Sequence, residues 1–342
     1  EISTRDWSSD VCSSDLDVLK VKNLVAEKGT KVQGMLFIHE QPAYKHEIPI
    51  TLVNGAGDGP TLCINGGEHG SEYNGPAGCL KLIDEIDPND INGKVILTPV
   101  VNTLAFEYRW MHGNPIDYRD LGGCYVEKVP FGGSGAPKHS YQLAVTFYDE
   151  VLAQSKYRLN LHGGDIEEDL LTGVMYSRFG DQERDDKNLA MARNYGWDWI
   201  REGIRKPRPN APPRRYMPMT VGTEAGGMGR CTMDLVDMVV KGCKNTMKAL
   251  GMMDGKPDIP KKAKVYNPFH LYAKRGGFFI SHVVSGDMVS KGDTLGEIRH
   301  LNGKIVEEIV VPTDGVIHMV TSPAIWEGDV TYEIGKDIRE IE

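Results

Sequence analysis

The stretch TLCINGGEHGSEYNGPAG, residues 61–78, decides how this chain is read. An apolar run stops at a pair of glycines, and an imidazole and a carboxylate, His69 and Glu72, follow with two residues between them. A strand that turns into a helix accounts for the glycines. It also sets Glu72 in the first helical turn, where the helix dipole favours a negative charge. Nothing in that reading calls for the imidazole. Half of a metal site calls for both side chains.

Outward from this stretch the apolar spacing alternates between two periods. EIPITLVN (47–54) closes a β-rich lead-in, TLCIN reads as a buried strand and EYNGPAGCLKLIDEID as a helix. GKVILTPVVN, YRLNLHGG and GVMYS read as further strands. KHSYQLAVTFYDEVLAQS, DKNLAMARNYGWDWIR and CTMDLVDMVVKGCKNTMKALG carry helical spacing. Such alternation predicts an α/β layer fold with a largely parallel or mixed central sheet. In sheets of this kind sites form at the carboxyl ends of strands. CING before His69 and LNL before His162 are both such ends.

Residues 254–268, DGKPDIPKKAKVYNP, are rich in Pro and Lys and read as a linker or domain edge. Beyond them, short apolar runs separated by SGD, KGD and EGD turns predict a small all-β unit. GDMVSKGDTLGEI resembles the lipoyl and biotinyl carrier modules, which display a modified lysine on a hairpin. VPTDGVIHMV has no lysine to display, so the unit is expected to form a lid or wall for a site. The first 16 residues, EISTRDWSSDVCSSDL, lack periodicity and read as a non-native or disordered tail. The expected organisation is therefore this tail, an α/β domain over 17–257 and a small β domain over 258–342.

Bulk properties narrow the partners. The chain has 342 residues and a formal charge of −9, which argues against nucleic acid or an anionic membrane as the main partner. No apolar run reaches the roughly 18 residues of a membrane span, and no secretory signal is recognisable. The six cysteines are scattered without a C-x-x-C pair, which fits a reducing cytoplasm. A small-molecule substrate is expected, and a homo-oligomer is compatible with the sequence.

Zinc in a hydrolytic site takes three protein ligands and leaves one position open, and two histidines with a glutamate form one such set. His69 and Glu72 supply two donors from one loop. YRLNLHGGD offers His162 as the third, at a strand end followed by glycines that permit close approach of a substrate. Alone, His162 reads as a satisfied buried histidine. A metal hydrolase also needs a carboxylate to take a proton from water. MPMTVGTEAGGMG (217–229) holds Glu224 at the end of a β-like run, where a helix N-cap neighbourhood is the plainer reading.

HGSE at 69–72, LHGG at 161–164 and TEAGG at 223–227, followed by a small β unit, form an ordered set. In this order the chain is similar to the succinylglutamate desuccinylase/aspartoacylase family, zinc-dependent amide hydrolases related to the metallocarboxypeptidases. The resemblance spans residues 17–342. It implies a three-layer zinc-carboxypeptidase-like α/β fold with a mixed central sheet. It also implies one zinc ion held by His69, Glu72 and His162, with Glu224 as general base and acid.

Family members carry D-L-N-R and then F-P-G between the first two metal motifs, with the Asn-Arg pair contacting the substrate and polarising its carbonyl. Here the matching stretch is IDYRDLGGC (116–124). Asp117 aligns, but Arg119 falls where Asn is expected and Asp120 where Arg is expected. Arg119 is the first candidate for the arginine's work, and Arg109, in NTLAFEYR, is the second. Members often have Asp two residues before the third ligand; this chain has Asn160, which can hydrogen-bond but brings no charge.

The expected reaction is hydrolysis of a small N-acylated amino acid to a carboxylic acid and an amine. N-acetyl-diaminobutyrate is one suitable substrate among others. The arginine-rich REGIRKPRPNAPPRRY (201–216) reads as a solvated basic loop or a substrate gate. Asp165, Glu167 and Glu168 instead favour a cationic group on the substrate. A zinc carboxypeptidase acting on peptides, and a non-catalytic binding protein that keeps the fold, are the rival readings.

Overall fold

The computed structural model describes residues 18–126, 139–205 and 217–342. The expected tail and most of the arginine-rich stretch lie outside the described residues. The chain starts with a hairpin, β1 (Val18–Val21) and β2 (Leu24–Glu27), which pairs only with itself. Next come β3 (Thr30–Glu40), β4 (Lys45–Asn54), β5 (Gly57–Gly66), α1 (Asn74–Glu85), β6 (Asn92–Thr98), α2 (Thr103–Tyr108) and α3 (Leu121–Val126). They are followed by α4 (His139–Glu150), β7 (Tyr157–His162), β8 (Glu168–Leu170), β9 (Gly173–Arg178), α5 (Gln182–Tyr195), β10 (Trp199–Ile204), β11 (Met219–Glu224) and α6 (Met233–Ala249). The remainder is all strand: β12 (Ala263–Tyr272), β13 (Gly277–Ser281), β14 (Met288–Val289), β15 (Thr294–Arg299), β16 (Ile305–Val310), β17 (Gly315–Thr321), β18 (Ala324–Ile325) and β19 (Val330–Ile341).

One mixed sheet carries the site. Its order is β3-β4-β6-β5-β7-β11-β9-β10-β12-β19-β17-β14, with β8 added on β17. β5 is parallel to β6 and β7, and β7 is parallel to β11. Alternate side chains of these strands enter opposite cores. Leu62, Ile64, Leu159 and Leu161 pack with Leu82 of α1, Tyr195 of α5 and Val239 of α6. Cys63 and Ile96 face the other way, toward Tyr125 of α3 and Phe147 of α4. Helices therefore cover both faces, which is why TLCIN is apolar throughout rather than alternating. α6 is an amphipathic helix whose buried Val236, Val239, Val240, Cys243 and Met247 recur at helical spacing.

Two expected elements differ in the structure. The helix expected over DKNLAMARNYGWDWIR stops at Tyr195, because Gly196 takes the left-handed conformation (φ 96°) that ends helices, and WDWIR enters β10. The linker expected over 254–268 ends early: from Ala263 its second half is β12, parallel to β10 and antiparallel to β19. The ladder thus runs unbroken from the α/β region into the C-terminal strands. β13, β15, β16 and β18 form a separate four-stranded sheet over a core that includes Phe279, Leu295, Ile298 and Tyr332. β17 returns to pair with β8, so Met319 sits opposite Leu170.

Candidate metal centre and active site

β5, β7 and β11 end side by side and deliver the site. Gly66 closes β5, and Gly67, at φ 63°, turns the chain away. A Cβ at Gly67 would lie 2.9 Å from Val100 Cα, so the turn has no room for a side chain. The loop then presents Glu68, His69 and Glu72 before α1 begins at Asn74, so Glu72 precedes the helix rather than lying in its first turn. Asn74 ties the neighbouring strand end to this loop: its Nδ2 donates to Ala225 O at 2.7 Å and its Oδ1 accepts from Thr232 N. In the β7–β11 ladder the partner of His162 is Glu224, each the last residue of its strand.

His69, Glu72 and His162 converge, with donor atoms within 4.8 Å of one another. Glu72 lies between the two rings. Its Oε1 is 2.5 Å from His69 Nδ1 and its Oε2 is 2.9 Å from His162 Nδ1. Gly163 N also donates to Oε2, at 3.3 Å. Burial opposes charge on all three groups, but their mutual attraction wins. Glu72 is held well below the usual carboxylate range, and both imidazoles are raised above their ordinary value. Two imidazoles and a carboxylate, nearly dry and aimed at one region, are a donor set suited to a divalent borderline cation such as zinc. Ligation needs neutral rings, so bound protons must leave as an ion enters. Apparent zinc affinity is therefore expected to rise as pH is raised from about 6 to about 8. Chelator-competition titrations across that range check this, and a flat profile contradicts it.

Behind the donors is a buried polar network that the sequence reading missed. Asn65 and Asn160 are partners in the β5–β7 ladder, and Asn65 Nδ2 donates to Asn160 Oδ1 at 2.8 Å. Arg158 donates from Nε to Asn65 Oδ1 at 2.8 Å and from Nη2 to Glu68 Oε1. Its guanidinium also stacks 5.0 Å from the centre of the Tyr125 ring. Asn160 Nδ2 donates to Glu68 Oε2 at 3.2 Å and lies 2.6 Å from His162 Nε2, which steadies that ring. Asn160 brings no charge, but Glu68 does, with Oε2 3.7 Å from His162 Nε2. Burial works against the Glu68 charge, yet Arg158 and His162 hold its carboxyl below the usual range. Glu68→Gln would strand the Arg158 charge in the interior. It is expected to lower stability by about 3–5 kcal/mol, read by urea denaturation at pH 7; an unchanged midpoint contradicts this.

Glu224 is half-buried at the end of β11. Burial pushes its carboxyl up to about 8; Glu72 and Glu168 add to the rise, while His162 and Arg201 oppose it. Arg201 itself is clamped by Glu333 of β19 at 2.6 and 2.8 Å. The two candidate arginines stand outside this cluster. Arg109 caps α2 in the left-handed conformation, and Arg119 follows two residues after Asp117, whose Oδ1 accepts from Arg119 N. Both side chains are exposed, and neither guanidinium pairs with another side chain among the described residues. Both border the His69 loop: Gly70 N donates to Trp110 O, and Asp120 Oδ2 is 3.6 Å from His69 Nε2. That contact with His69 holds the Asp120 carboxyl down at about 2.

Of the acidic residues after His162, Asp165 is fully buried, accepts from Ser71 Oγ at 2.5 Å and lies 3.0 Å from His112 Nδ1. His112 also stacks against His69, with ring centroids 4.5 Å apart. Burial raises the carboxyls of both Asp165 and Glu168. The glycines after His162 serve backbone packing: a Cβ at Gly163 would lie 2.9 Å from Ala225 O, and one at Gly164 2.8 Å from Glu168 O. The C-terminal strands wall this side. Leu171 N donates to His318 O, and Asp169 accepts from Ser285 N and Oγ.

A mixed sheet with helices on both faces and a His–Glu–His donor set at its strand ends defines a class of α/β protein. Within it, the chain belongs to the succinylglutamate desuccinylase/aspartoacylase family, whose catalytic-domain model matches residues 58–250. The N-alpha-acetyl-L-2,4-diaminobutyric acid deacetylase of Halomonas elongata is 25% identical over 305 residues, covering 86% of this chain and 87% of that protein. The fold is shared with a succinylglutamate desuccinylase/aspartoacylase from Rhodobacter sphaeroides (TM-score 0.77, 22% identity, 91% of this chain and 96% of that one). It is also shared with the product-bound ectoine utilization protein EutE (DoeB) from Ruegeria pomeroyi (TM-score 0.79, 20% identity, 94% and 99%). Among the described residues no helix is long and apolar enough to cross a membrane.

Proposed function

We propose that this chain is a zinc-dependent hydrolase that cleaves the amide bond of a small N-acylated amino acid. The observation that carries the reading is the convergence of His69, Glu72 and His162 beside the Glu224 strand end. When bound by these three residues, zinc supplies a Lewis acid that lowers the pKa of water and draws electron density from a carbonyl. Glu224 takes the proton from the attacking water and returns it to the leaving nitrogen. Burial raises this carboxyl above the ordinary carboxylate range, which strengthens it as a proton acceptor once ionised. Arg119, with Arg109 as the second candidate, offers an exposed fork for the substrate carboxylate or the developing oxyanion.

Asp120, ionised and beside His69, favours a cationic group on the amine portion of the substrate. A diamino acid acylated on one nitrogen has that character, and the Halomonas elongata relative is named for such a compound. The test is a panel of N-acetyl and N-succinyl amino acids, with N-acetyl-2,4-diaminobutyrate included, run beside short peptides on zinc-loaded protein. Release of the acyl group from a small member of the panel, without trimming of peptides, is expected. Peptide trimming would make the chain a carboxypeptidase, and stoichiometric zinc without any turnover would make it a binding protein.

A further inference from the structure

A second group of imidazoles shares no residue with the His69–Glu72–His162 set. His39 near the end of β3 and His46 in β4 are cross-strand partners, and His139 opens α4 beside them. The ring centroids are 4.4 to 5.4 Å apart, and one ligand-type atom from each lies within 4.8 Å of the others. His39 Nε2 is 2.8 Å from His139 Nδ1. His46 Nε2 is tied to Thr103 Oγ1 at 3.0 Å, while its Nδ1 is buried without a hydrogen-bond partner among the described residues. His139 Nε2 is likewise buried and unpartnered among the described residues. Two orphaned ring nitrogens within one histidine group carry a desolvation cost that a folded protein rarely tolerates without purpose.

We propose that His39, His46 and His139 form a second divalent-cation site, separate from the catalytic one and structural in role, selecting zinc or a similar imidazole-seeking ion. Three neutral nitrogen donors suit zinc, copper or nickel and not magnesium or calcium. The bond from His46 Nε2 to Thr103 is the outer contact that commonly orients a ligating ring. The Gln41 carboxamide, 3.3 Å from His139 Nδ1, offers an oxygen as a fourth donor once turned over. Asp117 supplies negative charge beside the group, accepting from Ser140 N at 2.9 Å and Ser140 Oγ at 2.7 Å.

The placement gives the ion its purpose. Thr103 follows Asn102, whose Nδ2 donates to Glu68 O and Gly113 O. Ser140, next to His139, donates from Oγ to Asp117 Oδ1 at 2.7 Å and to Arg119 O at 3.3 Å, and Asp120 follows Arg119 directly. An ion at the three histidines therefore pins the β3–β4 hairpin and α4 against the segment that borders the substrate.

The test is a Co2+ titration of the full chain after chelator stripping and dialysis, read by ion content and visible absorption. His69→Ala removes a donor from every other metal-competent group among the described residues. That variant is expected to keep one Co2+ per chain, with no thiolate charge-transfer band. Adding His46→Ala should take the count from one to none. If His69→Ala alone takes up no Co2+, the proposal is overturned, whatever the fate of the double variant. Retention of that ion after His46→Ala, in protein with an unchanged circular dichroism spectrum, overturns it too.

Discussion

Replacing Glu224 by glutamine is expected to leave zinc content unchanged and to lower kcat by about 10²–10⁴-fold. Glutamine keeps the size of the side chain and its place at the end of β11, opposite His162 in the parallel ladder. It loses only the ability to take and return a proton. Glu72 and the two imidazoles remain in place, so the ion has the same donors. The fall should appear in kcat more than in KM, because proton transfer belongs to the transition state rather than to substrate binding. Metal analysis and steady-state kinetics on one preparation measure both quantities. Full activity in the Gln variant would remove Glu224 from the mechanism.

The second large effect is on His162. His162→Ala removes one of three donors and leaves Glu72 with one ring instead of two. The ion held by His69, Glu72 and His162 is expected to be lost on dialysis and turnover to fall to background. Asn160, which also bonds Glu68, loses its contact to His162 Nε2 while the Glu68–Arg158 pair stays intact. The fold should therefore survive, and an unchanged circular dichroism spectrum with the zinc content lower by one ion per chain is the expected pair of results. A zinc content equal to that of the unsubstituted chain would place the catalytic metal elsewhere.

The pairing of these two residues shows what the sequence reveals and what it hides. His162 and Glu224 were legible because each ends an apolar run that glycines follow, and sites in such sheets gather at strand ends. His69 and Glu72 were legible because a turn explains glycines but not an imidazole. Glu68 was not singled out, although it stands one residue before His69. Its partner Arg158 lies 90 residues away and meets it only because β5 and β7 are adjacent. A signal did exist. Arg158 and Asn160 alternate with Leu159 and Leu161 in a strand with helices on both faces, so the polar pair had to find buried partners. β10 was missed because tryptophans after Gly196 continue the look of a buried helix face. β12 was missed because proline and lysine mark a linker by composition, while the strand begins only at Ala263.

The His39–His46–His139 group was illegible for a related reason. The hairpin register brings His39 against His46, but His139 comes from a helix about 90 residues on, and no local pattern joins them. The arginine-rich stretch 206–216 lies outside the described residues.

Anomalous diffraction at the zinc absorption edge, on crystals of zinc-loaded protein, tests the central claim most directly. A strong peak within bonding reach of His69, Glu72 and His162 together is the result expected here. Crystals that hold zinc but show no peak among those three side chains, or that draw them apart, would contradict it.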